Sequence, residues 1–312
     1  MQSFFYFYFI LFCGWVWYNY AVKLIGGGFC QVDLSFIELV KTVIIGIVEG
    51  LTEWLPISST GHMILVDEFI KLDVSKAFMD MFLVVIQLGA ILAGVVLNFE
   101  KLNPFSGWKT REEKRDTFQL WYKVIFACLP AAVIGLAFNK YMEEHFMTAP
   151  VVAATLIFYG IMFIVVENYN KNRTPAVQDL KALSYKTAFI IGMFQVLSLV
   201  PGTSRSGATI LGGILFGASR YVAAEFTFFL AIPVMFGASL LKLVKFGFHY
   251  TGAEIFILVV GMATAFVVSI ISIKFLLQYI KNNDFKAFGY YRIVLGLIVL
   301  AYLYFVGDPT LE

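Results

Sequence analysis

GIVEGLTEWLPISSTGHMI, residues 46–64, and GMFQVLSLVPGTSRSGATI, residues 192–210, decide how this chain folds. A constant offset of 146 aligns Gly46 with Gly192, Leu51 with Leu197, Ser58 with Ser204, Gly61 with Gly207 and Ile64 with Ile210. Glu49 falls on Gln195 and Thr52 on Ser198, while the prolines, Pro56 and Pro201, slip by one position. Each stretch lies in an apolar segment, 36–72 or 184–218, broken midway by a proline and a cluster of Gly, Ser and Thr. Neither half of either segment is long enough to cross a bilayer comfortably. Such sequences predict re-entrant helix–break–helix hairpins, tolerated at membrane depth only where they line a cavity or pack in protein. Each is followed by an apolar span carrying a phenylalanine at the matching place, Phe82 or Phe228.

Composition agrees with a lipid solvent. Of 312 residues, 60% are hydrophobic, 17% aromatic and 14% charged; soluble domains carry about 25% charged residues. Apolar runs at about 78–98, 119–139, 150–167, 222–243, 254–280 and 286–306 approach the roughly 20 residues a spanning helix needs. The predicted fold is an all-α polytopic membrane protein, with six transmembrane helices and two re-entrant hairpins in an inverted-topology repeat. Its single domain covers 34–312, with repeat halves at about 36–168 and 184–306. The aromatic segment ahead of it, within 1–33, lacks a basic n-region and a cleavage site. It reads as an additional anchor or as upstream sequence from a misassigned start. Cys13, Cys30 and Cys128 form neither a redox nor a zinc pattern.

Net charge, +2, says little about partners; membrane lipids are expected, nucleic acid is not, and a homodimer is an admissible assembly. Charge distribution says more. Lys101, Lys109, Arg111, Lys114, Arg115, Lys171, Arg173, Lys181, Lys186, Lys281 and Lys286 fall on one side. Lys71, Lys76, Lys140, Lys242 and Lys245 fall on the other, which places the first set in the cytoplasm. The first hairpin then enters from outside and the second from the cytoplasm. Inverted repeats of broken helices put their sites near the midplane, so Glu49–His62 should face Pro201–Thr209.

Those two stretches carry the chemistry. Glu49 and Glu53, at i and i+4, share a helix face in apolar surroundings. Two carboxylates at such depth need a cation, a shared proton or an arginine; they would hold a divalent metal, or one would act as general base. Ser58, Ser59 and Thr60 are natural N-caps for a second half-helix, whose free N–H groups suit phosphate. His62 in its first turn, near a serine, is the minimum for an activated nucleophile. In the second stretch Gly202 and Gly207 let backbone approach a ligand. Arg205 offers a planar donor fork matched to phosphate oxygens, and Ser204, Ser206 and Thr209 add hydroxyls. The bland alternative, Arg205 paired with Glu49 or Glu53, is compatible with this reading in the absence of ligand. Arg220 and Glu225 read as residues of a helix start near the cytoplasmic face, and Lys274 and Arg292 as snorkelling residues near helix ends.

EGLTEWLPISSTGH (49–62) and PGTSRSGAT (201–209) resemble the two signature regions of the undecaprenyl-pyrophosphate phosphatases, bacterial membrane enzymes also known for bacitracin resistance. VVIQLGAILA (84–93), SRYVAAEFTFFLAIP (219–233) and AFGYYRIVLG (287–296) extend the resemblance, which runs from about Phe36 to Phe305. It implies removal of the terminal phosphate from the C55 isoprenoid diphosphate left by cell-wall polymerisation. A divalent cation, Mg or Ca, and a site open to the outer face of the bacterial inner membrane are implied too. By motif position, Glu49 and Glu53 match the essential acidic pair, Ser59 and His62 the candidate nucleophile and acid/base, and Arg205, Ser204, Ser206 and Thr209 the phosphate-binding stretch. Residues 1–33 depart from the family, whose members usually begin near Phe36. The nucleophile stays open between Ser59, His62 and water. The rival class is a polyprenyl-phosphate transporter using the same site, since inverted repeats of broken helices are a transporter signature.

Overall fold

The computed structural model describes residues 35–247 and 250–306; the segment 1–33 lies outside the described residues. Besides a single short helical turn at Phe99–Leu102, ten α-helices account for most of it: α1 (Phe36–Thr52), α2 (Ser59–Phe69), α3 (Lys76–Leu97), α4 (Arg111–Phe146), α5 (Ala149–Asn170), α6 (Tyr185–Val196), α7 (Arg205–Leu215), α8 (Arg220–Phe246), α9 (Gly252–Tyr279) and α10 (Lys286–Val306). No strand forms among the described residues; an isolated bridge joins Val177 to Ala218. Six helices, α3, α4, α5, α8, α9 and α10, are long and apolar enough to cross a membrane. They coincide closely with the six apolar runs of the sequence, except that α4 overruns its run at both ends. That helix begins at Arg111, eight residues ahead of its apolar run, because Thr110 and Glu113 form a reciprocal capping box that satisfies its first N–H groups.

The two interrupted segments fold as short helix, break, short helix. In the first, α1 and α2 have 17 and 11 residues. In the second, α6 and α7 have 12 and 11, with a single 3-10 turn, Leu197–Leu199, before the break. At 1.5 Å per residue the three shorter helices reach only about 16–18 Å, well under the roughly 30 Å hydrocarbon core.

Helices meet where glycine removes a side chain. A Cβ at Gly192 of α6 would lie 2.0 Å from the Ala127 carbonyl oxygen of α4, and one at Gly89 of α3 would lie 2.1 Å from the Met262 oxygen of α9. Gly160 of α5 and Gly289 of α10 face each other, a Cβ on either meeting the other's oxygen at 2.7 Å. Lipid tails are as apolar as leucine, so such close backbone packing holds membrane helices together. It pairs α5 with α10, α3 and α1 with α9, and α6 with α4; α3 also packs against α8.

Ion pairs tie the ends that carry most of the basic residues. Arg220 grips the buried Glu167 through Nε at 2.9 and 3.0 Å and Nη2 at 2.5 Å, and Glu167 also accepts from the Phe285 N–H at 3.0 Å. Lys101 pairs with the buried Glu225. Arg220 and Glu225 therefore sit at a helix start, as the sequence reads. Arg292 does not behave as expected. It lies seven residues into α10, is fully buried, and does not snorkel; the physical reason lies in the two breaks.

Candidate active site

A broken helix frees backbone groups, and where these are buried the protein must supply their partners. Arg292 does so for both breaks at once. Its Nη1 donates to the Pro56 carbonyl at 3.3 Å, and its Nη2 donates to the Gly202 and Thr203 carbonyls at 2.8 and 3.0 Å. Thr155 of α5 donates to the Pro201 carbonyl at 2.7 Å. Ser269 of α9 donates to the Gly50 carbonyl near the end of α1 at 3.3 Å. Gly202 has φ +84°, and a Cβ there would lie 2.1 Å from Thr155 Oγ1, so no other residue fits this turn. Trp54, fully buried, anchors the first break edge-on to Phe228 at 4.9 Å.

Both breaks end in the same cap. Ser58 (φ 74°) and Ser204 (φ 69°) are the described non-glycine residues with left-handed φ. Each hydroxyl accepts from the N–H three residues on, Gly61 at 3.3 Å and Gly207 at 3.1 Å. Of the three candidate N-caps in the first stretch, Ser58 takes the position, and Ser59 and Thr60 open the helix itself. The φ costs on the order of 1–3 kcal/mol at each serine, and it turns the first residues of α2 and α7 toward one another.

What meets there is a short polar chain. Arg205, the first residue of α7, donates from Nη2 to Glu53 Oε1 at 2.9 Å and from Nη1 to the Thr227 carbonyl at 3.0 Å. Ser59, the first residue of α2, donates to Glu53 Oε2 at 3.3 Å. Ser206 donates across the breaks to the Leu55 and Glu53 carbonyls at 3.3 and 3.4 Å, and its hydroxyl lies 3.1 Å from that of Ser204. Thr209 bonds back to the Arg205 carbonyl at 2.9 Å and accepts from Thr227 at 2.8 Å. Glu49, one turn before Glu53 on the same helix, is buried. Around the breaks, Glu49 Oε1, Trp54 Nε1, both side-chain polar atoms of Gln195, Thr203 Oγ1, Arg205 Nε and Arg292 Nε are buried without a partner among the described residues.

The structure therefore gathers Glu49, Glu53, Ser58, Ser59, Ser204, Arg205, Ser206 and Thr209 around the two breaks, with Gly202 in the turn. Arg205 is paired with Glu53, the arrangement open from the sequence. Thr60 makes no side-chain hydrogen bond among the described residues. His62 is not brought onto Ser59. Its Nδ1 lies 2.7 Å from the Ser58 carbonyl oxygen and its Nε2 lies 2.7 Å from the Tyr291 hydroxyl. Thr155, Thr227, Ser269 and Tyr291 at the breaks escape the sequence reading, and Arg292, read there as a snorkelling residue, has a different role. Arg292 carries the one usable signal, a guanidinium within an apolar run with no acidic residue within a helical turn of it; such a group at depth is by default part of a polar site.

Chemically, the gathered groups offer a hydroxyl whose proton faces a carboxylate, a guanidinium with a spare donor, and two helix starts whose N–H ends favour anions. A cation would find a partial set. Glu49 Oε1 is an unpartnered buried oxygen beside Glu53, yet no group of three or more His, Cys, Asp or Glu gathers among the described residues. Two carboxylates without a cage suit Mg²⁺, which is commonly held by one or two carboxylates together with substrate phosphates. The donors fit a divalent ion bound jointly with a phosphorylated ligand.

A polytopic helical membrane protein with a buried carboxylate–hydroxyl–guanidinium site is the class that fold and geometry define. Residues 42–298 match the family described as bacitracin resistance protein BacA, and the chain belongs to that family. It is 63% identical over 275 residues to an undecaprenyl-diphosphatase of Enterococcus faecalis, covering 87% of this chain and 100% of that one. It is 62% identical over 269 residues to an undecaprenyl-diphosphatase of Lachnoclostridium phytofermentans, covering 86% and 98%. A third relative of that name, from Acetivibrio thermocellus, is 62% identical over 266 residues, covering 85% and 98%.

Proposed function

We propose that this chain hydrolyses undecaprenyl diphosphate to undecaprenyl phosphate and inorganic phosphate, returning the lipid carrier to cell-wall synthesis. The observation that carries this reading is the Arg205–Glu53–Ser59 chain, which joins the starts of α2 and α7 at the two breaks. Relatives that share about 60% of their residues with this chain bear the corresponding name. No observation favours the rival polyprenyl-phosphate carrier, which needs an anion cradle but has no use for a hydroxyl aimed at a carboxylate.

In this reading the terminal phosphoryl group sits between the two helix starts. Ser59 Oγ attacks phosphorus, its proton passes to Glu53 Oε2, and the bridging P–O bond breaks to leave undecaprenyl phosphate. Water then releases phosphate from the serine. Arg205 holds the equatorial oxygens where charge spreads, the main requirement of phosphoryl transfer. Its unpartnered Nε and the hydroxyls of Ser204 and Ser206 are the donors on hand. Glu49 and Glu53 would hold the divalent cation, which would neutralise diphosphate oxygens.

The finer architecture belongs to the same proposal. Two inverted halves, each opening with a re-entrant hairpin, account for several observations together. Ser58 and Ser204 share an unusual φ and cap at the 146-residue offset. The packing of α1 on α9 mirrors that of α6 on α4, as a two-fold axis exchanging the halves requires. In this reading the site opens to the outer face, as the family resemblance implies. Phosphate release by the purified protein, with and without a chelator, tests the reading. Metal-dependent release from a polyprenyl diphosphate is expected, and transport of the intact lipid without release would overturn it.

A further inference from the structure

The phosphatase reading leaves His62 without a proton to move at Ser59, because both ring nitrogens are engaged elsewhere. A carbonyl oxygen only accepts, so Nδ1, 2.7 Å from the Ser58 carbonyl, carries the hydrogen. In the neutral ring Nε2 is then an acceptor, and the hydroxyl 2.7 Å away, that of Tyr291, donates to it. The two rings lie parallel, 4° apart, with centroids at 5.6 Å. Ser59 donates to Glu53 instead.

The far end of this chain is the informative one. Ser58 is held at φ 74°, and the Ser58 carbonyl receives only a long helical bond, 3.4 Å, from the His62 N–H. The imidazole supplies the short bond that the backbone does not. In the second break Ser204 adopts the same φ, but its carbonyl takes a 3.0 Å helical bond from Ala208, and no side chain among the described residues braces it. The first break thus has a brace where its own helix start is loose. The brace is anchored on α10, where the next residue, Arg292, already grips both breaks.

We infer that Tyr291 and His62 are positioning residues, a strut from α10 through the imidazole to the Ser58 carbonyl that fixes where Ser59 points. The inference rests on the phosphatase reading for its kinetic consequence, but not for the strut itself. Losing one hydrogen bond of ordinary strength from the strut is expected to slow kcat about fivefold with KM unchanged.

Full-length protein labelled with ¹⁵N at histidine provides a readout independent of turnover, the His62 signal being identified by its loss in His62→Ala. The Nδ1–H tautomer in the parent, and a moved Nε2 shift in Tyr291→Phe, are expected; an Nε2–H tautomer, or no shift in Tyr291→Phe, would overturn the strut. Phosphate release by the parent enzyme tests the underlying reading separately. Its absence would remove the phosphatase while the tautomer still decides the strut. In kinetics, Tyr291→Phe should lower kcat in the parent but add nothing in a His62→Ala background, since the strut breaks only once. His62→Asn keeps a donor near the Nδ1 position and has no titratable ring. It should recover most of what His62→Ala loses, with the parent's pH profile. Additive losses, or a His62→Asn as slow as His62→Ala with one limb of the pH profile gone, would instead assign His62 to proton transfer.

Discussion

Glu53 is the residue on which the site turns, because it has two partners from two helices that are far apart in sequence. One oxygen accepts from Arg205 and the other from Ser59. Removing one member of a buried charge pair normally costs about 3–5 kcal/mol, since it strands the other. Glu53→Gln softens that cost, because the amide oxygen still accepts from Arg205 and Glu49, one turn away, remains as a counter-charge, while the carboxylate that receives the serine proton is gone. Glu53→Gln is expected to insert and melt close to the parent but to lose about 100-fold or more in phosphate release, the scale of a lost general base. Parallel melting and phosphate assays in detergent check both halves, and a fully active variant would take Glu53 out of the mechanism. The carboxylates, the serines and Arg205 were legible in the sequence because ionisable groups in an apolar run have few structural excuses. Their pairing was not: whether Arg205 would choose Glu49 or Glu53 depends on which turn of α1 meets the start of α7, and spacing does not fix that. Nor could the sequence show that Ser59 faces a carboxylate and not the histidine three residues away.

At the scale of elements, the apolar runs gave the six long helices and the proline–glycine–serine clusters gave the two breaks. Both signals are local. The start of α4 was missed because a polar first turn, held by its capping box, looks like loop in a hydropathy reading. The role of α10 was missed for a different reason. Arg292 serves carbonyls 236 and about 90 residues away in the chain, and its donors satisfy backbone, which leaves no trace in side-chain pattern. The crossings that hold the breaks in place are narrow. Gly192→Ala puts a Cβ 2.0 Å from the Ala127 oxygen, so α6 must move away from α4 and carry its break with it. We expect that variant to lower both thermal stability and activity, by roughly 1–3 kcal/mol in stability, the usual cost of overpacking. A melting curve unchanged from the parent would show that the α6–α4 contact is looser than described.

At the scale of the whole molecule, every group of the candidate site found among the described residues lies in α1, α2, α5, α7–α10 or in the breaks. A chain beginning near Val32 is therefore expected to insert and release phosphate like the full-length protein. A shortened chain that folds but does not turn over would give that segment a part in the chemistry. The larger claim is that two broken helices, brought together from distant parts of the chain, form one phosphate cradle with Arg205 at its centre. The most direct test compares phosphate release from undecaprenyl diphosphate by the purified parent and by Arg205→Lys. Lysine keeps the charge and can still pair with Glu53, but it loses the planar fork, and with it the Thr227 carbonyl bond and the spare donor that would reach phosphate oxygens. The account predicts metal-dependent release by the parent and a kcat lower by at least about tenfold in the variant, roughly 1.4 kcal/mol in the transition state, with insertion and protease resistance unchanged. Parent-level kcat/KM in Arg205→Lys would contradict it, leaving Arg205 as the structural partner of Glu53 and the cradle to backbone amides and hydroxyls alone.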